Sequence, residues 1–269
     1  MLVTCYYDIY NKPERFMEYL YLFYDLGISG IPMVIFTDPS LVYKFRIFPY
    51  NVKVIGIPLN EFELYSMCMK YDRELPVNRT KEKDTKEFYS LMNTKMEFIK
   101  KASEYCKDDT LIWIDFGILK IVKNKDRFLS KLREVNETRF EKLTIPGCWS
   151  FGRGMSVDMI HWRFCGGFFV LPRKEIERFY NHSKGVLNDF CRMPMYKLTW
   201  ETNVWSVIES CAEKDNIDWY FADHNDTMVM NIDTIMKKLN YSCFCKNTHP
   251  DQKKYSVLFF FLLLPNTYS

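Results

Sequence analysis

The chain has 269 residues, a mass of 32.4 kDa and a net charge of +3. Apolar residues make up 48% and charged residues 26%, which excludes a disordered chain and suits one α/β unit. The small net charge and the lack of any Lys/Arg block exclude a dedicated nucleic-acid surface.

Strand-like and helix-like patterns alternate along the chain, which predicts a largely parallel sheet flanked by helices. Val3 to Ile9 is apolar and β-prone, and reads as a first strand and not as a targeting signal. Pro13 to Leu26 carries Phe16, Tyr19, Leu20, Phe23 and Tyr24 at helical spacing. Pro13 opens that helix, and Gly27 and Gly30 close it. Met33 to Thr37 is a short buried strand followed by the turn Asp38-Pro39-Ser40, and Val52 to Ile57 is another strand. Glu74 to Lys86 is polar, a loop or a solvated helix start. Phe88 to Tyr105 reads as one helix.

Thr110 to Ile114 is the clearest central strand, with Asp115 at its C-terminal end. Phe128 to Val135 is a short helix, and Trp149 to Met155 is a glycine-containing loop. Cys165 to Leu171 is a strand reached through a glycine pair. Glu175 to Phe190 and Thr202 to Ala212 are helices, and Asp218 to Phe221 is a late strand. The continuously apolar Val257 to Leu264 is too short to cross a bilayer. It reads as a buried terminal element, with a peripheral membrane contact as the alternative.

Nine scattered cysteines fit neither a zinc knuckle nor a redox CxxC. They read as free thiols of a reducing, cytoplasmic protein. Sequons at Asn78, Asn136, Asn181, Asn225 and Asn240 say little about secretion without a leader. The aromatic share, 17%, suits flat sugar or base surfaces, although core packing is its ordinary use.

Four groups of residues can carry chemistry. Trp113-Ile114-Asp115-Phe116-Gly117 puts a carboxylate beyond a buried strand, where ligands of open parallel sheets gather and a hard cation can be held through oxygen. The other reading of Asp115 is a turn cap. Gly166-Gly167 before a strand allows close backbone approach, or is simply a bulge. Glu201 starts a helix, where it is either a base, nucleophile or hydroxyl anchor, or a plain N-terminal cap. Trp200 beside it suits sugar stacking or the core. Asp223-His224-Asn225-Asp226 could complete a metal shell or touch a diphosphate.

In this order and spacing, the residues resemble the GT-A glycosyltransferases, and within them the HtrL/YibB-like family. The resemblance runs from about Val3 to Met230. It rests on Val3 to Ile9, Ile35-Phe36-Thr37, Arg79 to Asp84, Lys95, Trp113 to Ile118, Gly166 to Phe169, Trp200 to Trp205, Asp218 to Tyr220 and His224-Asn225-Asp226. It implies one GT-A (Rossmann-like) domain over residues 1–269. Its nucleotide-sugar half spans about 1–120 and its acceptor half about 121–250, and an apolar tail covers 251–269.

On the donor side the resemblance implies Tyr7, Phe36, Thr37, Arg79, Asp84, Lys95, Asp115, Phe116 and Gly117. On the acceptor side it implies Gly166, Gly167 and Trp200, with Glu201 as the acidic catalytic residue beside the anomeric carbon. Asp115 matches the first Asp of the family's DxD metal motif. Gly117 stands where the second acid would be, which puts weight on His224 and Asp226 as further ligands of Mn2+ or Mg2+.

The expected reaction is hexose transfer from a nucleoside diphosphate sugar, a UDP-sugar favoured, to a glycan or other hydroxyl acceptor. Retention is slightly favoured from the likeness to some retaining families. The alternatives are a non-catalytic nucleotide-sugar or carbohydrate-binding module on the same fold, and a phosphoryl- or nucleotidyl-transfer enzyme.

Overall fold

The computed structural model describes residues 1–152, 156–214 and 216–239. The chain divides into Met1–Ile232 and Asp233–Ser269. In the second unit, residues 233–239 are helical. The apolar stretch Val257 to Leu264 lies outside the described residues, as do the sequon at Asn240, Cys243 and Cys245. No described helix is long and apolar enough to cross a membrane.

The first unit is built on seven strands: β1 (Leu2–Tyr6), β2 (Met33–Thr37), β3 (Val52–Gly56), β4 (Thr110–Ile114), β5 (Leu143–Gly147), β6 (Phe168–Pro172) and β7 (Ile217–Phe221). Their order across the sheet is β3-β2-β1-β4-β6-β5-β7. All neighbouring pairs are parallel except those made by β6, which runs antiparallel to β4 and β5. The fold is therefore the mixed, mostly parallel α/β sheet expected from the alternating pattern. Every residue of β2, β4, β5 and β6 is buried, as helices on both faces of a parallel sheet require.

The helices are α1 (Pro13–Gly27), α2 (Glu63–Lys70), α3 (Lys86–Asn93), α4 (Lys95–Ser103), α5 (Lys125–Glu137), α6 (Ile176–Arg192), α7 (Glu201–Ile208) and α8 (Thr227–Met230). α1 begins at its proline and buries Phe16, Leu20, Phe23 and Leu26. The start of α2 is capped from outside: the Glu97 carboxylate accepts from the N–H groups of Glu63 and Leu64 at 2.8 Å each.

Three differences from the sequence pattern matter for the site. The helix expected over Phe88 to Tyr105 is two helices. Thr94 Oγ1 donates to the Ser90 carbonyl at 2.8 Å, and the Asn93 amide donates to Tyr89 O and, across the fold, to Thr199 O. Such side-chain bonds to the preceding turn interrupt a helix, and Lys95 becomes the first residue of a new one. Strand β5 has no counterpart in the sequence pattern, where Pro146 and Gly147 punctuate Leu143 to Gly147. The carbonyl of buried Pro146 accepts from Cys165 N–H at 2.9 Å, which ties β5 to the chain ahead of β6. The glycine pair lies before β6 and not within it.

Candidate active site

A cleft of about 440 Å³ opens at the C-terminal ends of β1 and β4. Its walls begin with the chain leaving each strand, Tyr6 to Tyr10 after β1 and Asp115 to Ile118 after β4. Because β6 is antiparallel, its beginning lies beside the end of β4, and Asp115 N–H donates to Gly167 O at 2.9 Å. That register brings Gly166 and Gly167 to the same edge as Asp115. The start of α7 adds Glu201 and Thr202.

At the centre is Lys95, whose side chain is buried. Its Nζ donates to Glu201 Oε1 at 2.7 Å and to Gly166 O at 2.8 Å, and lies 3.0 Å from Asp115 Oδ1. Trp113 Nε1 donates to the same Oδ1 at 2.8 Å. Both contacts to Asp115 fall on Oδ1, and the Asp115 side chain keeps 38% exposure, whereas Glu201 keeps 1%. Glu201 Oε2 and Thr202 Oγ1 are buried without a hydrogen-bond partner, which is costly unless a ligand or solvent fills the role.

The glycines make this cluster sterically possible. A Cβ on Gly166 would sit 1.9 Å from Glu201 Oε1, and one on Gly167 would come 3.4 Å from Asp115 Oδ2 and 3.3 Å from Met228 Cε. The pair therefore clears room for two carboxylates. Gly117 acts differently from expectation: the space beside it is filled by the Tyr19 ring of α1, 2.4 Å from where a Cβ would be.

Burial pushes the Glu201 carboxyl above its ordinary range, and the Lys95 ammonium opposes that push. Burial also works against the charge on Lys95, but Asp115 and Glu201 outweigh it and hold its pKa above the ordinary lysine value. The ammonium is thus a fixed positive charge between two carboxylates.

The rim alternates aromatic rings with cations. The Arg15 guanidinium lies 5.0 Å from the Tyr10 ring centroid and 5.5 Å from that of Tyr19. Lys83 Nζ is 4.7 Å from the Trp200 centroid, and Lys120 Nζ is 5.5 Å from that of Tyr19. Trp162 packs edge-on to Trp200 and to His224. Arg15, Lys83, Lys120, Tyr10, Tyr19 and Trp162 all line the cleft. None of them stands in a compact sequence motif; only the β1–α1 loop and the chain fold bring them together.

Of the residues expected from sequence, Tyr7, Lys95, Asp115, Phe116, Gly117, Gly166, Gly167, Trp200, Glu201 and His224 line the cleft. Phe36, Thr37, Arg79, Asp84 and Asp226 are not among its lining residues. Phe36 is packed against Phe62 and Phe98. Thr37 Oγ1 donates to Tyr6 O at 2.8 Å. Arg79 donates to Pro76 O, and buried Asp84 accepts from Thr80 N–H at 2.9 Å, so both shape the loop before α3. Asp226 is at the start of α8.

For a hard cation the protein supplies Asp115, with Oδ2 free of the two bonds that hold Oδ1. Among the described residues, the one group of three His, Cys, Asp or Glu side chains with ligand atoms within 4.8 Å of one another is Cys148, Cys165 and His224, which does not include Asp115. The donor set beside Asp115 is that of a site completed by ligand oxygens and water, not of an all-protein cage.

No protein-family model matches the chain, and no curated protein sequence matches it. Solved structures do resemble it. The mannosyltransferase Ktr4p of S. cerevisiae is 10% identical over 81% of this chain and 67% of its own, with a TM-score of 0.46. CMP:2-keto-3-deoxy-manno-octonic acid synthetase complexed with CTP is 10% identical over 88% and 98%, with a TM-score of 0.42. The glycosyltransferase GlyE of Streptococcus pneumoniae TIGR4 is 9% identical over 92% of this chain and 51% of its own, with a TM-score of 0.38. The chain's own sheet, mixed, mostly parallel and flanked by helices, is established by its strand pairing.

Proposed function

We propose that the chain is a glycosyltransferase of the GT-A type that moves a sugar from a nucleoside diphosphate sugar to a hydroxyl acceptor. The observation that carries this reading is the Lys95 ammonium held between Asp115 and Glu201 at the strand ends of an open cleft. Lys95 fixes the two carboxylates in place, and the charge of a diphosphate leaving group would be balanced by the cleft-lining cations Arg15, Lys83 and Lys120. Tyr10, Tyr19 and Trp200 offer rings for a base or a sugar. Glu201 Oε2, buried and without a partner, is the acceptor of a hydroxyl hydrogen bond, which orients the attacking group or steadies the reacting carbon. The resemblance to the HtrL/YibB-like family belongs to this proposal, as do the UDP preference and a glycan acceptor.

A divalent cation, Mn2+ or Mg2+, would be held by Asp115 together with diphosphate oxygens, and would supply Lewis-acid neutralisation of the leaving group. His224 lines the same cleft and Asp226 does not. The cation is therefore expected to enter with the nucleotide and not before it.

A non-catalytic nucleotide-sugar-binding module remains the second reading. It is favoured by the Tyr19 ring beside Gly117, where a second acid would otherwise stand. The test is a screen of nucleotide-sugars with manganese by thermal shift, followed by product analysis of wild type and Asp115→Ala. Release of nucleoside diphosphate with sugar transfer, lost in Asp115→Ala, supports the enzyme. Binding without turnover supports the module. Cleavage within the diphosphate would point to nucleotidyl transfer instead.

A further inference from the structure

Three strand ends next to the cleft bring soft ligands together. Cys148 directly follows β5, Cys165 precedes the glycine pair ahead of β6, and His224 lies just past β7. The backbone clamps these segments to one another: Cys165 N–H donates to Pro146 O at 2.9 Å, and Ala222 N–H donates to Gly147 O at 3.0 Å. The two sulfurs are 3.0 Å apart, and a nitrogen of His224 lies within 4.8 Å of both. The His224 ring is steadied edge-on against Trp162, with centroids 4.7 Å apart. Cys165 is buried and Cys148 partly so.

We propose that Cys148, Cys165 and His224 form a binding site for a borderline-soft divalent cation, zinc(II) in class, separate from any hard cation held at Asp115. Two thiolates and an imidazole are the donors that tetrahedral zinc selects, and they leave a fourth position for water. The sulfur separation is well beyond the ~2.05 Å of a disulfide. It needs to open by less than about 1 Å to reach the span of two ~2.3 Å zinc–sulfur bonds at a tetrahedral angle. The imidazole favours a metal over a simple disulfide, because a disulfide has no use for a third ligand. His224 thereby acts with the two thiols and not with Asp115. The site ties the ends of β5, β6 and β7 to the chain that lines the cleft. This inference does not rest on the glycosyltransferase reading, since its readout is optical.

The test is titration of the reduced, chelator-stripped chain with Co2+ under anaerobic conditions. One equivalent should produce a thiolate-to-cobalt charge-transfer band in the near ultraviolet, together with the visible bands of tetrahedral cobalt, and Zn2+ should erase both. The double variant Cys148→Ser/Cys165→Ser should lose the charge-transfer band, and Asp115→Asn should keep it. His224→Ala, a change at an exposed residue, should weaken Co2+ binding by at least about tenfold. That variant keeps the test decisive if the buried Cys165 substitution does not fold. No charge-transfer band in the folded reduced protein would overturn the site, as would unchanged affinity in His224→Ala. A Cys148–Cys165 disulfide, found by peptide mapping without reductant in protein purified with no added oxidant, would overturn it as well.

Discussion

Two buried ion pairs hold the chain that leads into β6, and they are built to different ends. Arg163 and Glu209 form a closed pair: Nε and Nη2 each donate to a carboxylate oxygen at 2.7 and 2.6 Å, and Nη1 donates to Trp149 O at 2.7 Å. The guanidinium also lies over the rings of Trp219 and Phe164. Both side chains are sealed from solvent, at 1% and 3% exposure, and Glu209 begins the π turn 209–213 that follows α7. Lys95 and Glu201 are as deeply buried, yet their pair is open. Glu201 keeps one oxygen without a partner, and the third member, Asp115, reaches the cleft. A pair with every polar atom satisfied fixes a fold; a pair that leaves acceptors unused at a cavity is prepared for something that is not yet there.

The sharpest way to break this contrast is Glu201→Gln. The substitution keeps volume and leaves Lys95 bonded to Asp115 and Gly166, so unfolding in urea should change by no more than about 1 kcal/mol. Sugar transfer should fall by about 10²–10⁴-fold. In the wild type, the acid limb of the rate profile should lie above the ordinary carboxylate range, because burial raises the Glu201 pKa and the charged form is lost as pH falls through that raised value. If stability collapses and catalysis merely follows it, the open pair is structural after all.

Arg163→Met tests the other side. It strands the Glu209 charge in the interior, which should cost about 3–5 kcal/mol in urea denaturation. Replacing both partners with apolar residues, Arg163→Met with Glu209→Leu, should recover most of that loss. Nucleotide affinity of the folded protein should stay unchanged. A loss of affinity out of proportion to unfolding would mean that the closed pair also shapes the cleft.

Close to this pair, His161 provides a pH readout of the closed side. It is 2% exposed, its Nε2 meets Ser206 Oγ at 3.1 Å and its Nδ1 has no partner. Burial lowers its pKa to about 4, against about 6.5 in an unfolded chain. The stabilisation of the neutral ring is therefore complete above the unfolded value and is lost as pH falls from 6.5 towards 4. The loss is on the order of 3 kcal/mol. His161→Gln should flatten that part of the stability profile. A profile identical to the wild type would place the titration elsewhere.

The same contrast shows what could be seen in the chain. The strand–helix alternation and the carboxylate after β4 were legible, because a buried run such as Leu111 to Ile114 puts Asp115 at a strand end, although the run alone leaves a turn cap open as its other reading. The glycine pair was legible as a close approach, but not what approached: the answer is Glu201, 35 residues on in the chain and 1.9 Å from the missing Cβ of Gly166. Lys95 was singled out, but its place at the centre depends on the Thr94 break, and a helical apolar pattern runs straight through that position. Arg79 and Asp84, though charged and in a plausible stretch, spend their hydrogen bonds within their own loop. The rim cations and tyrosines had no pattern to find, since α1, the loop before α3 and the turn after β4 meet only in three dimensions. Local chemistry at strand ends can be read along a chain, whereas selection among scattered charges needs the contacts.

Lys83→Ala probes the outermost layer of the open side and should have the smallest effect. Lys83 is exposed, and its Nζ is 4.7 Å from the Trp200 centroid and 5.2 Å from that of Phe88. An exposed ion pair with a phosphate contributes about 0.2–1 kcal/mol, so calorimetric affinity for a nucleoside diphosphate should fall by no more than about fivefold. The difference between variant and wild type should shrink as salt is raised, because a surface charge acts through solvent and is screened within about 10 Å at 0.1 M ionic strength. A salt-independent loss would mean that Lys83 acts by holding Trp200 in place and not by attracting phosphate. A loss far larger than fivefold would move it from the rim to the centre, beside Lys95.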